Sequence, residues 1–205
     1  MKNKQALIIV DAQNDFMPGG SLAVPNGNEI IPVINALLPN FELIIFTQDW
    51  HPENHKSFAS QHKDKKVYDK INLNGLDQIL WPDHCIQNSY GANIHKEIDL
   101  GKITGNFYIF KKGMDPEVDS YSGFYDNGKK NSTGLAEFLK ERDVKTVNIV
   151  GLALDFCVAY TAIDAASEGF KTFVIADGTR AITKSDKEMN ELFKNNNVKF
   201  IYLEL

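Results

Sequence analysis

The segment 147–169 constrains the fold of this chain more than any other. It reads VNIVGLALDFCVAYTAIDAASEG: an apolar run too short for a soluble helix, a break at Gly151, then apolar and small residues at helical spacing after Asp155. This order predicts a buried strand, a tight turn and a helix. Ligands of open α/β sheets bind at the carboxyl ends of the strands. We therefore expect Cys157, in the first turn of that helix, to face a crevice.

Two interpretations of Cys157 follow from this segment alone. At a helix N-terminus, unpaired N–H groups and the helix dipole favour the nucleophilic thiolate. Free cysteine is also among the most buried residue types, so an ordinary core residue fits the same pattern. The one other cysteine is Cys85, which leaves no disulfide framework. Each cysteine is therefore expected to be a free thiol, a ligand or a nucleophile.

Strand and helix patterns alternate along the whole chain. Helices are predicted at 29–38, 133–143, from 155 onward and at 184–195, and strands at 6–10, 43–47, 105–112, 147–150, 173–176 and 198–203. The apolar runs suit parallel strands covered on both faces. We predict a single domain, 1–205, with a three-layer α/β/α, Rossmann-like architecture around a mainly parallel sheet of six strands.

Composition excludes several classes of protein. With 43% hydrophobic and 24% charged residues, the chain is of ordinary globular composition. A formal charge of -5, with no basic cluster set apart from acidic residues, argues against a nucleic-acid partner. The first apolar run, 6–10, is far shorter than a signal-peptide core or a membrane span. We therefore expect a cytoplasmic protein without a membrane partner.

Charged residues stand at the predicted ends of two further strands. Asp11 follows the first strand, and Lys111 and Lys112 end the third. If the sheet is parallel, Asp11, one of these lysines and Cys157 share one edge of it. Taken singly, an aspartate there is commonly a structural cap and a lysine is commonly solvated. A buried carboxylate at this place could also act as a base.

A second group of residues has the composition of a metal site. Asp49 and His51 are two apart, so in an extended segment their side chains leave the same face, and His84 lies in a later polar loop. One carboxylate and two histidines can hold a divalent cation with positions open for water or substrate. Ordinary loop hydrogen bonds are the alternative for each residue. Glu53 and His55 could support the ligands from outside.

Five motifs, taken together, resemble the nicotinamidase group of the isochorismatase-like cysteine hydrolases. In chain order they read DAQNDFMPGGSL, TQDWHP, WPDHC, KKG followed by YSGF, and GLALDFCV, and they cover essentially the whole sequence. Each motif alone is weak, but their joint order is specific. The resemblance favours Cys157 as a nucleophile over the core interpretation. It implies hydrolysis of nicotinamide, and of pyrazinamide, to the acid and ammonia in the recycling of nicotinamide into NAD.

The resemblance also implies roles for individual residues. Cys157 would attack the carboxamide to form a thioester, Asp11 would be the general acid and base, and Lys112, directly before Gly113, would favour the thiolate. The backbone N–H groups of Cys157 and Ala153 would bind the oxyanion. The family has a cis peptide bond at the position that leads into Ala153.

The resemblance further implies a metal and an aromatic pocket. Asp49, His51 and His84 would bind one divalent ion, with zinc as first choice and iron or manganese compatible with the same donors. This ion would hold the pyridine nitrogen of the substrate. The wall around the ring would be formed by Phe16, Leu22, Trp81 and Tyr121. Phe156 departs from the family, which often has histidine or tyrosine there.

Three other functions fit the sequence less well. An isochorismatase-type or other small-amide hydrolase is the nearest alternative, although isochorismatase needs no metal. A catalytically silent binding protein would not need the full Asp-Lys-Cys set. A nucleotide-binding α/β protein is disfavoured because no G-x-G-x-x-G follows the first strand. Assembly into a homo-oligomer is compatible with the sequence.

Overall fold

A computed structural model describes residues 4–203. The remaining ends of the predicted 1–205 domain, 1–3 and 204–205, lie outside the described residues. The central sheet has six strands, paired in parallel throughout. In spatial order they are β5 (Asn106–Lys112), β2 (Leu43–Asp49), β1 (Lys4–Val10), β6 (Val144–Leu152), β7 (Lys171–Arg180) and β8 (Val198–Ile201).

Helices flank this sheet, which confirms the predicted α/β architecture. They are α1 (Ile30–Leu37), α2 (Leu135–Glu141), α3 (Ala159–Ser167) and α4 (Asp186–Asn195). Helices α1 and α3 contact β7, α2 contacts β6, and α4 contacts β8. The central strands β1 and β6 are apolar and buried over most of their length, as parallel strands covered on both faces must be. Among residues 4–203, no helix is both long and apolar enough to cross a bilayer.

Two differences from the predicted elements have local causes. β7 continues to Arg180, beyond the predicted end at 176, because pairing of Gly151 with Thr179 and of Leu152 with Arg180 extends the ladder. α4 begins at Asp186 because Ser185 caps it in a reciprocal capping box with Glu188. The strand predicted to reach 203 ends at 201.

Two features went unpredicted. A short antiparallel hairpin, β3 (Lys70–Leu73) and β4 (Leu76–Ile79), stands apart from the main sheet. Its four-residue strands are too short for a clear alternation of polar and apolar residues. Cys157 lies in a single π-helical turn, Leu154–Val158, that precedes α3, instead of in the first turn of an α-helix.

Candidate active site

The ends of three strands bring Asp11, Lys112 and Cys157 together. Asp11 directly follows β1, Lys112 is the last residue of β5, and Cys157 is in the turn after β6. Lys112 Nζ lies 3.4 Å from Cys157 Sγ and 2.9 Å from Asp11 Oδ2. All three residues are buried. The structure therefore brings together Asp11, Cys157 and the one of the two candidate lysines that the family resemblance selected.

The two oxygens of Asp11 have different surroundings. Thr47 Oγ1 donates to Oδ1 at 2.6 Å, and the Asp11 backbone N–H donates back to Thr47 Oγ1 at 3.2 Å. Among residues 4–203, no group donates a directed hydrogen bond to Oδ2, and its contact with Lys112 is an ion pair. Asp11 and Cys157 belong to a group of ligand atoms that lie within 4.8 Å of one another. Oδ2 is therefore the oxygen free to receive a proton from the thiol.

Lys112, and not its neighbour Lys111, reaches this cluster. Its Nζ also donates to Asp49 Oδ1 at 2.6 Å and to the Ser120 carbonyl oxygen at 2.9 Å. Lys111 is exposed, and its Nζ lies 3.5 Å from the centre of the Trp50 ring. Adjacent residues of a strand point to opposite faces, so only one of the two lysines can enter the site.

Burial and neighbouring charges shift the pKa values of all three groups in the cluster. Burial raises the pKa of Cys157 well above its ordinary value, and Asp11 and Asp49 add to this rise while Lys112 opposes it. Burial also raises the pKa of Asp11, again against Lys112. Burial would lower the pKa of Lys112, but the two carboxylates hold it well above its ordinary value. Burial thus opposes the thiolate that the helix terminus favours, and Lys112 is the neighbour that supports it.

Asp49, His51 and His84 converge beside this cluster. Asp49 Oδ2 lies 3.6 Å from His51 Nε2 and 3.9 Å from His84 Nε2. The other ring nitrogen of each histidine is 2.8 Å from a backbone carbonyl oxygen, that of Gly113 for His51 and that of Pro82 for His84. A carbonyl oxygen only accepts, so each Nδ1 carries its proton and each Nε2 turns a lone pair toward Asp49.

This donor set fits a divalent cation. Lys112 occupies Asp49 Oδ1, which leaves Oδ2 free beside the two Nε2 atoms. Burial and the neighbouring His51 lower the pKa of His84 to about 4, so that it is neutral, the form that binds a metal. Histidines that bind a metal commonly donate their other ring N–H to a carbonyl oxygen, which fixes the orientation of the ring.

Glu53 and His55, which the sequence indicated as possible supports of the metal ligands, differ in their positions. Glu53 is exposed. His55 is buried, its ring centre is 4.4 Å from that of His51, and its Nδ1 accepts the Ser57 backbone N–H at 3.2 Å. His55, His51 and Asp119 have ligand atoms within 4.8 Å of one another. Asp119 was not predicted, because one acid in a long polar loop carries no local signal.

A pocket opens from the surface onto Cys157 and the Asp49 group. The four predicted wall residues all line it, together with three that were not predicted as wall residues, Asp119, Phe156 and Ile182. Its complete lining is Phe16, Leu22, Asp49, Trp81, His84, Asp119, Tyr121, Ala153, Phe156, Cys157 and Ile182.

Aromatic rings make up much of the pocket wall. The ring of Phe156 lies 5.0 Å from that of Trp81 and 5.7 Å from that of Tyr121, both edge to face. A phenyl ring at position 156 therefore completes an apolar wall where the family often has a polar ring. The wall suits a flat ring.

Backbone features place Ala153 and Ile182 in the pocket. The Leu152–Ala153 peptide bond is cis, as the resemblance implied. The buried carboxylate of Asp155, in the same turn as Cys157, accepts the N–H groups of Ile182, Thr183 and Lys184 at 2.9, 2.9 and 3.2 Å. Asp155 thus ties the loop that carries Ile182 to the turn that carries Cys157.

Known proteins share both the sequence and the fold. The isochorismatase domain family matches residues 5–198. The nicotinamidase of Acinetobacter baylyi is 50% identical over 88% of this chain and 83% of its own. A nicotinamidase and pyrazinamidase structure from Acinetobacter baumanii matches with a TM-score of 0.92 and 42% identity, over 98% of this chain and 97% of that chain.

A third relative was solved with a metal. The pyrazinamidase of Pyrococcus horikoshii, in complex with zinc, has a TM-score of 0.75 and 34% identity, and the match covers 98% of this chain and 99% of that chain. Family match, sequence identity and fold agree over nearly the whole chain. The chain therefore belongs to the isochorismatase domain family, within its nicotinamidase group.

Proposed function

We propose that this protein is a nicotinamidase, which hydrolyses nicotinamide to nicotinate and ammonia and also cleaves pyrazinamide. The observation that carries the proposal is the position of Cys157 Sγ, 3.4 Å from Lys112 Nζ and next to the free oxygen of Asp11, in an aromatic-walled pocket. The identity to nicotinamidases over most of the chain supports the same substrate.

In the first half of the reaction, Cys157 attacks the carboxamide carbon. Asp11 Oδ2 takes the thiol proton as the C–S bond forms, since the raised pKa of Cys157 makes the thiol the resting form. Asp11 then gives this proton to the amide nitrogen, the C–N bond breaks and ammonia leaves. The product of this half is a thioester on Cys157.

In the second half, water opens the thioester. Asp11, now a carboxylate, removes a proton from the water as its oxygen attacks the carbonyl carbon. The C–S bond breaks, Asp11 returns its proton to Cys157, and the acid leaves as nicotinate once its remaining water-derived proton has passed to the solvent. In both halves the backbone N–H groups of Ala153 and Cys157 are proposed to bind the oxyanion.

Lys112 has an electrostatic role in this proposal. Its ammonium lies between Asp11, Asp49 and Cys157 and is buried with them. Because burial strengthens Coulomb interactions, this charge favours the transient thiolate and prevents two carboxylates from facing each other unpaired.

Asp49, His51 and His84 would hold one divalent cation, and the zinc of the Pyrococcus horikoshii relative supports zinc. Iron and manganese accept the same donors. When bound, the cation supplies a ligand position for the pyridine nitrogen. Ring stacking in the wall formed by Phe16, Leu22, Trp81 and Tyr121 would complete the orientation of the substrate.

The physiological role that follows is the return of nicotinamide to the NAD pool. We further propose that the chain acts as a single domain in the cytoplasm, with small molecules as its partners. Assembly into a homo-oligomer stays a prediction.

Ammonia release from nicotinamide tests the proposal. The wild-type protein should release ammonia, Cys157→Ala should release none, and chelator treatment should lower the rate. Cys85→Ala is the matched control, because Cys85 is a buried thiol that does not line the pocket, and it should keep the activity within about threefold. A metal-loaded wild type without ammonia release would refute the proposal and direct attention to other small amides.

A further inference from the structure

The two edges of the central sheet differ in how they are protected. An edge strand carries backbone N–H and C=O groups without a partner strand, and proteins commonly shorten such strands or place charges on them. β8, at one edge, has four residues and includes the exposed Lys199. β5, at the other edge, has seven residues, and its segment 106–110 contains neither a charge nor a proline. Within residues 4–203, β5 pairs with β2 alone.

The ladder between β5 and β2 determines which backbone groups of β5 face outward. The Asn106 N–H donates to the Glu42 carbonyl oxygen at 2.9 Å, and the Trp50 N–H donates to the Lys112 carbonyl oxygen at 3.0 Å. The register is regular between these two ends. In a parallel ladder, the backbone groups of alternate residues point toward the partner strand, and those of the residues between them point away. The outward-facing groups are the N–H and C=O groups of Phe107, Ile109 and Lys111.

The exposed side chains at this edge are apolar. Phe107 is 42% exposed, Tyr108 37% and Ile109 45%. The ring of Phe107 lies 6.0 Å from that of Phe46, and the ring of Tyr108 lies 4.7 Å from that of Phe138 in α2. The fold therefore supports each ring on one side and leaves part of it in contact with water. Three consecutive exposed apolar residues are expected only where a surface has a function.

A second copy of β5 matches this edge in an antiparallel register with Ile109 opposite Ile109. Each outward-facing N–H and C=O group then has a partner on the other copy. Phe107 of each copy lies opposite Lys111 of the other, whose methylene groups can cover the ring, and Tyr108 lies opposite Phe110. A register centred on Lys111 would instead place two lysines opposite each other. The strand is therefore complementary to itself in charge and in side-chain type.

We propose that β5 is a dimer interface, at which two copies of this chain pair antiparallel about Ile109 and join their sheets. The outward-facing residues Phe107, Ile109 and Lys111 do not line the pocket, so the inference does not depend on the proposed function. One pair of strands is a small interface. We therefore expect a reversible dimer with a dissociation constant of about 1–100 μM.

Sedimentation equilibrium of the wild-type protein tests the dimer. Between about 1 and 300 μM, the mean mass should rise from that of the monomer toward twice that value. Ile109→Lys places two like charges opposite each other and should stay monomeric over the same range, with an unchanged melting temperature at the lowest concentration. Tyr90→Lys is the matched control, because Tyr90 is 72% exposed in a loop outside β5, and it should dimerise like the wild type. A monomeric wild type, or a dimer that persists in Ile109→Lys, would overturn the proposal.

Cysteine cross-linking tests the register. In a Cys157→Ala background, Ile109→Cys should form a disulfide-linked dimer with diamide, because opposite Cα atoms of a hydrogen-bonded pair lie about 5.5 Å apart. Phe107→Cys is the matched control of similar exposure, and its two copies would lie about 13 Å apart along the strands, too far for a disulfide. The remaining cysteine, Cys85, is buried. Equal yields from the two variants, or none from Ile109→Cys, would contradict this pairing.

Discussion

Lys112 is bonded directly to Asp49, with its Nζ 2.6 Å from Asp49 Oδ1. The cation beside the proposed nucleophile is therefore also a partner of a proposed metal ligand. Its other contacts, to Asp11 and Cys157, complete a buried group in which one ammonium balances two carboxylates. The proposed nucleophile and the proposed metal site both contact the Lys112 ammonium. A substitution of Lys112 should therefore affect both the reactivity of Cys157 and the charge at Asp49.

Removal of this charge should lower the reactivity of Cys157. Lys112 is the neighbour that opposes the rise in the pKa of Cys157, so in Lys112→Met that pKa should rise further. We expect slower alkylation by iodoacetamide at pH 8 and a kcat lower by about 100-fold or more. Lys111→Met is the matched control, since Lys111 lies over Trp50 on the outside. Equal alkylation rates in the two variants would contradict the role of Lys112.

Replacement of Asp11, the proposed base, should lower kcat without weakening the binding of nicotinamide. In Asp11→Asn, kcat should fall about 100- to 10,000-fold, the usual contribution of a general acid and base, while Kd for nicotinamide changes little. Thr47→Val removes the 2.6 Å hydrogen bond to Asp11 Oδ1, and kcat should fall about tenfold. Single-turnover ammonia release and calorimetry measure the two quantities. A kcat within threefold of wild type in Asp11→Asn would exclude it as the base.

The metal should matter for substrate position more than for the thiol. Chelator-treated protein, and His84→Ala, should lose metal as measured by mass spectrometry and should lose about 100-fold or more in kcat/KM for nicotinamide. Alkylation of Cys157 should persist. His62→Ala is the control, because His62 Nε2 contacts the Lys56 carbonyl oxygen in a loop outside the pocket. Full activity of metal-free protein would exclude the positioning role.

The bond between Asp155 and the loop of Ile182 should contribute strongly to stability. Asp155→Ala leaves three backbone N–H groups without their acceptor, and we expect the free energy of unfolding to fall by about 3 kcal/mol. Denaturation in urea measures this change. Asp177→Asn serves as comparison, because Asp177 accepts one exposed N–H, from Leu203, and should cost less than about 1 kcal/mol. Similar losses of stability in the two variants would argue against this role of Asp155.

Glu168 should make stability depend on pH in the acid range. Hydrogen bonds from Lys140 and Tyr125 lower the pKa of Glu168 below its ordinary value of 4.5. A lowered folded-state pKa gives stability that is present above pH 4.5 and is lost as pH falls through the folded-state value. Glu168→Gln should therefore be less stable than wild type at pH 7, and the difference should vanish in strong acid. A difference that is independent of pH would contradict this linkage.

Much of the fold and of the catalytic group could be predicted because both are encoded locally. Apolar runs too short for helices mark the strands, and the residue after each run, such as Asp11, is carried to one edge of the sheet by parallel pairing. The ordered motifs then distinguished Lys112 from Lys111. The Leu152–Ala153 cis bond followed from the resemblance.

Tertiary structure alone decided the environment of these groups. Gln78, in the hairpin, meets Asp119 and Tyr121 of a later loop, and no short-range pattern encodes contacts across 41 and 43 positions. The pKa of Cys157 has the same origin, because burial, Asp11 and Asp49 raise it and Lys112 lowers it, and all three neighbours are remote in the chain. The sequence of this chain therefore determined which groups reach the site. Their pKa values and their hydrogen-bond partners depend on contacts between residues that are remote in the chain.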